Sequence, residues 1–311
     1  MSNVQGTVNQ HYRLLAYQPS LLLEAFFAVA FLCIVILHTV QMCQSRTWCF
    51  LPFVIGGYFE CIGFVGRALL TDELQLHGWQ LDIYILETLL LLLAPAFFAG
   101  SIYMTLTRIV RLTNGQKHSL LPAEWLTKIF VAGDAIAFVL QAVAFGLYTS
   151  WFEKSGGGLN AAARTLEEES RGRDLIIAGL IVQLITFCLF IILAVIFYVR
   201  MNQAPTTTSG TLNTTWKRHL ILLVVSCFLI LFRSIFRLAE YILGSDGPLM
   251  EREIFTILLD SVLMFLCMLL FNLFHPSQAL NENLAHLTEV PVIETKEEGF
   301  YSPRSTQDGN V

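Results

Sequence analysis

Seven stretches of about 20 or more mostly apolar residues recur along the chain, and that length is what a helix needs to cross the hydrocarbon core of a bilayer. Water is absent there, so each backbone polar group has to be satisfied within its own helix. The stretches cover residues 20–42, 48–70, 81–107, 124–149, 174–200, 217–243 and 253–275. Composition agrees: of 311 residues, 55% are hydrophobic and 14% charged, too little polar surface for a water-soluble domain of this size. The expected fold class is all-α, an integral membrane bundle of seven transmembrane helices.

Most connections are short, which makes neighbouring spans antiparallel and leaves no room for a separate soluble domain. The expected division is an extracellular N-terminus over 1–19, a membrane domain over 20–276 and a cytoplasmic tail over 277–311. The longest connection, 150–173, contains "SGGGLNAAARTLEEESRGR" and reads as a solvated, mobile loop. The tail ends in "ETKEEGFYSPRSTQDGNV", too poor in apolar residues to bury a core, and disorder is expected from about residue 285 onward. No cleavable signal peptide is evident, so the first span is expected to serve as its own anchor. No repeat of fixed period is visible.

Cytoplasmic loops carry an excess of Lys and Arg. With the N-terminus outside, the cytoplasmic side receives Arg46, Arg108, Arg111, Lys117, Lys128, Arg200, Lys217, Arg218, Lys296 and Arg304. The outer side receives only Arg13, Lys154, Arg164, Arg171, Arg173 and Arg252. The bias favours N-out and C-in. Asn213 in the sequon Asn213-Thr214-Thr215 would then face the cytosol, and a glycan on it would overturn the orientation. Trp48, Trp79, Trp125, Trp151 and Trp216 fall near span ends, as an interfacial belt would place them.

Against this apolar background, "FRSIFRLAEYIL" over 232–243 places Arg233, Arg237 and Glu240 inside the sixth span. Residues four or seven apart share a helix face, so the three make one polar stripe. The same spacing recurs: Glu60 and Arg67 in "ECIGFVGR", Asp134 and Gln141 in "DAIAFVLQ", Glu253 and Asp260 in "EIFTILLD". Four helices thus each present a polar face, and the faces are expected to meet. A charge at mid-bilayer costs roughly 2.5–3.5 kcal/mol on insertion scales, so such groups face the bundle interior and pair. Arg237 can pair with Glu240 on its own helix; Arg233 and Arg67 need carboxylates from neighbours, with Glu60, Asp134 and Asp260 as candidates. Counting Glu87 and the acids already named, six acids face three bases, and Glu24 adds to the imbalance. A cationic guest such as a lipid amine could take up the excess. The bland counterpart is that these pairs only fix helix register.

The chain resembles the fungal lipid-translocating exporters, the seven-span RTA-type family linked to aminocholesterol resistance and export of sphingoid long-chain bases. The resemblance runs from Tyr17 to Pro276 through "YQPS", "ECIGFVGR", "LLLAPAFFAGSIYMTLTR", "DAIAFVLQAVAFG", "GLIVQ", "RSIFRLAEYILGSDGPLMEREIFTILLD" and "HPS". It implies a fungal membrane protein of the plasma membrane, or else of endomembranes, that moves or senses amphipathic lipids. The family's polar residues fall on Glu60, Arg67, Asp134, Gln141, Gln183, Arg233, Arg237, Glu240, Glu253 and Asp260, the expected substrate-binding or pathway set. The chain departs from the family at Glu24, where many members carry Asn, at Phe64, where Tyr is usual, and at Ala144, where Gly is usual.

The expected partners are membrane lipids, sphingoid bases or other amphiphiles; no cytosolic partner is identified, and a net charge of −5 in a membrane setting excludes nucleic acid. No catalytic residue, cofactor or metal is expected, and the chain is read as a carrier and not an enzyme. No phosphate-binding loop of the G-x-x-x-x-G-K-[ST] type is present, which argues against an ATP-driven pump. Passive scrambling, proton coupling through Asp134 or Asp260, and signalling remain as alternatives. Pro95 in "APAFF" is read as a packing kink ahead of a pivot. A seven-span lipid receptor and an intramembrane zinc hydrolase are the other function classes. The second would need histidines gathered in one leaflet, and His38, His219 and His275 all lie near cytoplasmic span ends without a ligand motif. The cysteines Cys33, Cys43, Cys49, Cys61, Cys188, Cys227 and Cys267 show no disulfide framework.

Overall fold

The computed structural model describes residues 20–71, 80–154, 159–206, 215–243, 255 and 257–275. The expected N-terminal and tail segments, Trp79, Asn213 and Glu253 lie outside the described residues. Six helices are long and apolar enough to cross a membrane. They are α1 (Leu21–Ser45), α2 (Leu51–Leu69), α3 (Gln80–Leu112), α4 (Ala123–Lys154), α5 (Leu159–Gln203) and α6 (Thr215–Leu243). The seventh, α7 (Leu263–Leu273), is shorter and is entered through a π-helical turn, Ile257–Val262. Consecutive helices pack against one another, α7 returns to α1 and α6 to close the ring, and α3 touches α6 across it. The chain is therefore an integral membrane helical bundle.

Local chemistry sets the turns. The α1 helix stops where Arg46 adopts a left-handed conformation (φ 53°) and the Thr47 N–H reaches back to the Met42 carbonyl at 3.2 Å. A 3-10 turn, Trp48–Phe50, then leads into α2, whose first turn holds Pro52, a residue with no N–H to leave unsatisfied. After α3 the same device recurs: Asn114 is left-handed (φ 49°), and the Gly115 N–H bonds the Val110 carbonyl at 2.9 Å. A side chain at Gly115 would meet Met201 and Phe197 of α5, so this turn sits tightly against the neighbouring helix end.

Burial is arranged for lipid. Phe26, Val29 and Ile36 on α1, Ile136, Val139 and Val143 on α4, and Ile185, Leu189 and Ile192 on α5 are exposed at helical spacing. Inside, Phe31, Phe53, Phe64, Phe98, Phe187 and Phe190 fill the core. Small residues let α2 approach α3 closely: a Cβ at Gly56 would lie 2.9 Å from the Ala94 carbonyl oxygen, and one at Gly63 would lie 2.6 Å from Leu91 Cδ2.

Two expectations need correction. The stretch 150–173, read as a solvated loop, is largely helical: α4 continues to Lys154, and α5 begins at Leu159. Residues 159–173 carry Ala161, Ala162, Ala163, Leu166, three consecutive glutamates and three arginines, all strong helix formers, and this local propensity outweighs their polarity. At 45 residues α5 is about 67 Å long, roughly twice the hydrocarbon thickness, and its apolar, span-length part is Ser170–Gln203. Trp216 also departs from the expected belt. Trp48 and Trp125 are exposed, but Trp216 is buried in the core.

Candidate functional site

The helices α1, α3 and α7 begin, and α2 and α6 finish, at one end of the bundle, and most of the polar stripe gathers towards that end. Arg233 and Arg237, one turn apart on α6, both close on Asp260 of the π-helical turn. Arg233 Nε lies 2.7 Å from Asp260 Oδ1, and Arg237 Nη2 donates to Oδ2. Arg237 Nη1 also donates to Glu240 Oε2 at 3.0 Å. All three of Arg233, Arg237 and Asp260 are buried. The π turn brings one carboxylate within reach of two guanidinium groups; such turns are commonly kept at functional positions.

A backbone feature of α3 completes this cluster. Pro95 has no N–H, so the carbonyl four residues earlier, that of Leu91, loses its helical donor. Arg233 Nη2 supplies the missing hydrogen bond to the Leu91 carbonyl. The helix runs unbroken through Pro95.

Beside it, Arg67 Nε lies 3.4 Å from Glu87 Oε2, and the Thr88 hydroxyl donates to Glu87 Oε1 at 3.3 Å. Arg67 was expected to pair with Glu60, Asp134 or Asp260. Gly66 explains the change, because with no side chain there α2 comes against Glu87 itself: a Cβ at Gly66 would lie 2.9 Å from Glu87 Cβ. The Arg67 guanidinium also lies over the Phe64 ring, 5.6 Å from its centroid. Glu87 is thus part of the cluster although spacing did not select it; the signal was an acid near the start of the span that follows Arg67.

Glu60 is 1% exposed, and its Oε1 has no hydrogen-bond partner. The charged side chains acting on it are Arg233, Asp260, Arg237 and Arg67. Glu24 is buried near the start of α1.

Asp134 departs from the expected convergence. The Tyr103 hydroxyl of α3 donates to its Oδ2 at 3.0 Å, and among the described residues no arginine pairs with it. Gln141, two turns further along α4, is buried against Gly179 of α5, and Gln183 is buried one turn beyond Gly179. The stripe therefore divides into two stations: an arginine-rich one on α2, α3, α6 and α7, and an arginine-free one on α3, α4 and α5.

At the opposite end His38 Nε2 bonds the Met268 carbonyl at 2.9 Å and His219 Nε2 the His275 carbonyl at 3.3 Å. The His38 and His275 rings lie 6.4 Å apart. These histidines do meet, as the hydrolase alternative requires, but His38 Nε2 and His219 Nε2 are each taken up by a backbone carbonyl. Among the described residues no group of three His, Cys, Asp or Glu side chains could hold a metal ion.

Comparison with known proteins adds to this geometry. A family model described as RTA1 like protein matches residues 53–283. Protein RTA1 of Saccharomyces cerevisiae is 36% identical over 222 residues, 71% of this chain and 64% of that protein. Protoporphyrin uptake protein 1 of the same yeast is 34% identical over 223 residues, 72% of this chain and 67% of its own. The yeast sphingoid long-chain base transporter RSB1 is 27% identical over 289 aligned positions, covering 82% of this chain and 70% of that one. The chain thus spans just under two thirds of the length of Protein RTA1. No solved structure matches.

Proposed function

The chain belongs to the RTA1-like protein family, and on that premise we propose that it binds amphipathic lipids with a cationic headgroup, such as sphingoid long-chain bases, and moves them between leaflets, so that toxic amphiphiles are cleared. The chain acts as a carrier and not as an enzyme. Its setting is the plasma membrane, with the N-terminus outside, which turns the arginine-rich end towards the outer surface.

The observation that carries this reading is Glu60. The three arginines are engaged by Asp260, Glu240 and Glu87, while Glu60 lies fully buried among them with an oxygen lacking any donor. A buried carboxylate oxygen without a donor is costly, and an ammonium headgroup would satisfy it. The acyl chain stays in lipid, and the polar residues reduce the headgroup's desolvation on its way across. The named activity of the sphingoid-base transporter relative agrees with a cationic amphiphile.

The test is reconstitution of the full chain into liposomes with a fluorescent sphingoid base. Acceleration of flip-flop over protein-free liposomes, reduced in Glu60→Gln, is the expected result. No acceleration by the wild-type chain, together with ligand-dependent binding of a cytosolic partner, would replace the carrier with the receptor alternative.

A further inference from the structure

We propose that Asp134 is a proton-binding site that couples lipid movement to the transmembrane proton gradient, separate from the arginine-rich station. The inference rests on the carrier reading for its cargo but not for its proton chemistry.

Asp134 is residue 12 of the 25-residue span Ala123–Leu147, close to the middle of the membrane, and it is buried at 5% exposure. One oxygen accepts the Tyr103 hydroxyl, and the other, Oδ1, has no hydrogen-bond partner. An ionised carboxylate held there by a single neutral donor would be an uncompensated charge in a medium of low dielectric. A proton on Oδ1 removes that charge. In the proposed site the proton is carried on Oδ1 while Oδ2 goes on accepting from Tyr103.

The surroundings select a proton over other cations. On α3 the facing titratable group is Tyr103, with Cys227 of α6 next to that tyrosine. On α5, Thr186 lies against Gly133, and Phe187 and Phe190 flank Tyr103, so that helix brings no charge to Asp134. Hard metal cations take six or more oxygen ligands, and one carboxylate with one phenol falls far short. Among the described residues no group of His, Cys, Asp and Glu completes such a site.

Asp260 is the other candidate for proton coupling, and the geometry rules it out. Guanidinium groups lie against both of its oxygens as ion pairs, an arrangement that favours the ionised form. Asp134 has no such clamp. Gln141 lies two turns, about 10 Å, further along α4 towards the arginine-rich end, and its buried Nε2 has no hydrogen-bond partner. It provides a polar group between Asp134 and that end. In the coupled cycle a proton enters from the side of higher proton activity, forms the O–H bond at Oδ1, and leaves to water on the other side. Its downhill passage supplies the free energy for moving the lipid amine.

Two readouts on the full chain test this. The first is infrared difference spectroscopy of protein in nanodiscs across the pH range of the folded state. The carbonyl-stretch band of a protonated carboxylic acid is expected in the wild type, absent in Asp134→Asn and shifted in Tyr103→Phe, which removes one hydroxyl and nothing else. Loss of no such band in Asp134→Asn overturns the proposal. The second is movement of a fluorescent sphingoid base in liposomes with and without an imposed pH gradient. A gradient is expected to accelerate the wild type, and Asp134→Asn is expected to show the same rate with and without it. A wild type indifferent to the gradient, or a mutant that still responds, overturns proton coupling and leaves the carrier reading standing. A wild type that moves no lipid sinks the carrier reading and the coupling with it, while the infrared band still decides whether Asp134 holds a proton.

Discussion

Arg233 on α6 donates a hydrogen bond to the Leu91 carbonyl on α3, the one that Pro95 leaves without its helical partner. The same side chain lies 2.7 Å from Asp260 through Nε, so one arginine joins a proline-disrupted backbone to the buried ion pair. Replacing Pro95 with Ala restores an N–H to the Leu91 carbonyl and makes the contact redundant. Arg233→Lys is then expected to destabilise the wild type more than it destabilises Pro95→Ala, with a coupling of about 0.5–3 kcal/mol in a double-mutant cycle. Thermal unfolding in detergent measures it, and additive losses would show that the two features are energetically independent.

Asp260 neutralises two guanidinium groups at once, so its removal strands both. Asp260→Asn is expected to lose roughly 3–5 kcal/mol of stability. Adding Arg233→Gln to that variant should recover part of the loss, because one stranded charge is removed. Chemical denaturation in mild detergent compares the two, and a double variant less stable than Asp260→Asn would contradict this account.

The two glycine contacts of α2 with α3 predict unequal responses to the same substitution. At Gly56 a Cβ meets the Ala94 carbonyl and the Phe98 ring, neither of which can move far; at Gly63 it meets the Leu91 side chain from Cγ outward, which can change rotamer. Gly56→Ala should therefore be the more damaging, by roughly 1–3 kcal/mol. Melting temperatures of the two variants in detergent decide the order.

Orientation can be read from a native thiol. Cys43 is exposed near the end of α1, whereas Cys49, Cys61, Cys227 and Cys267 are buried. With the N-terminus outside, a membrane-impermeant maleimide added to intact cells should leave Cys43 unlabelled, and opening the cells should expose it. In a Cys33→Ala/Cys188→Ala background, mass spectrometry of the Cys43 peptide checks this, and labelling from outside reverses the topology.

Much of the cluster was legible because helical spacing is arithmetic. Arg233, Arg237 and Glu240 had to share a face, and the cost of a charge in hydrocarbon required that face to point inward. Asp260 was among three candidate partners for Arg233, and only the structure selected it. Spacing within one helix contains no information about the distance between helices, however. Arg67 reached Glu87 because Gly66 lets α2 and α3 close on each other, and Asp134 turned to Tyr103 because of how α4 sits against α3. Polarity likewise misread 159–173, where helix propensity prevailed.

Alone, the sequence determined the number and rough limits of the apolar segments and which side chains could not face lipid, since both follow from short-range rules of length and period. Tertiary structure alone decided which buried acid meets which base. The π-helical turn placing Asp260, the carbonyl exposed by Pro95 and filled by Arg233, and the division into two polar stations all depend on helix rotation and separation. Those quantities are set by packing between segments distant in the chain, where small residues and single unsatisfied carbonyls shift the balance.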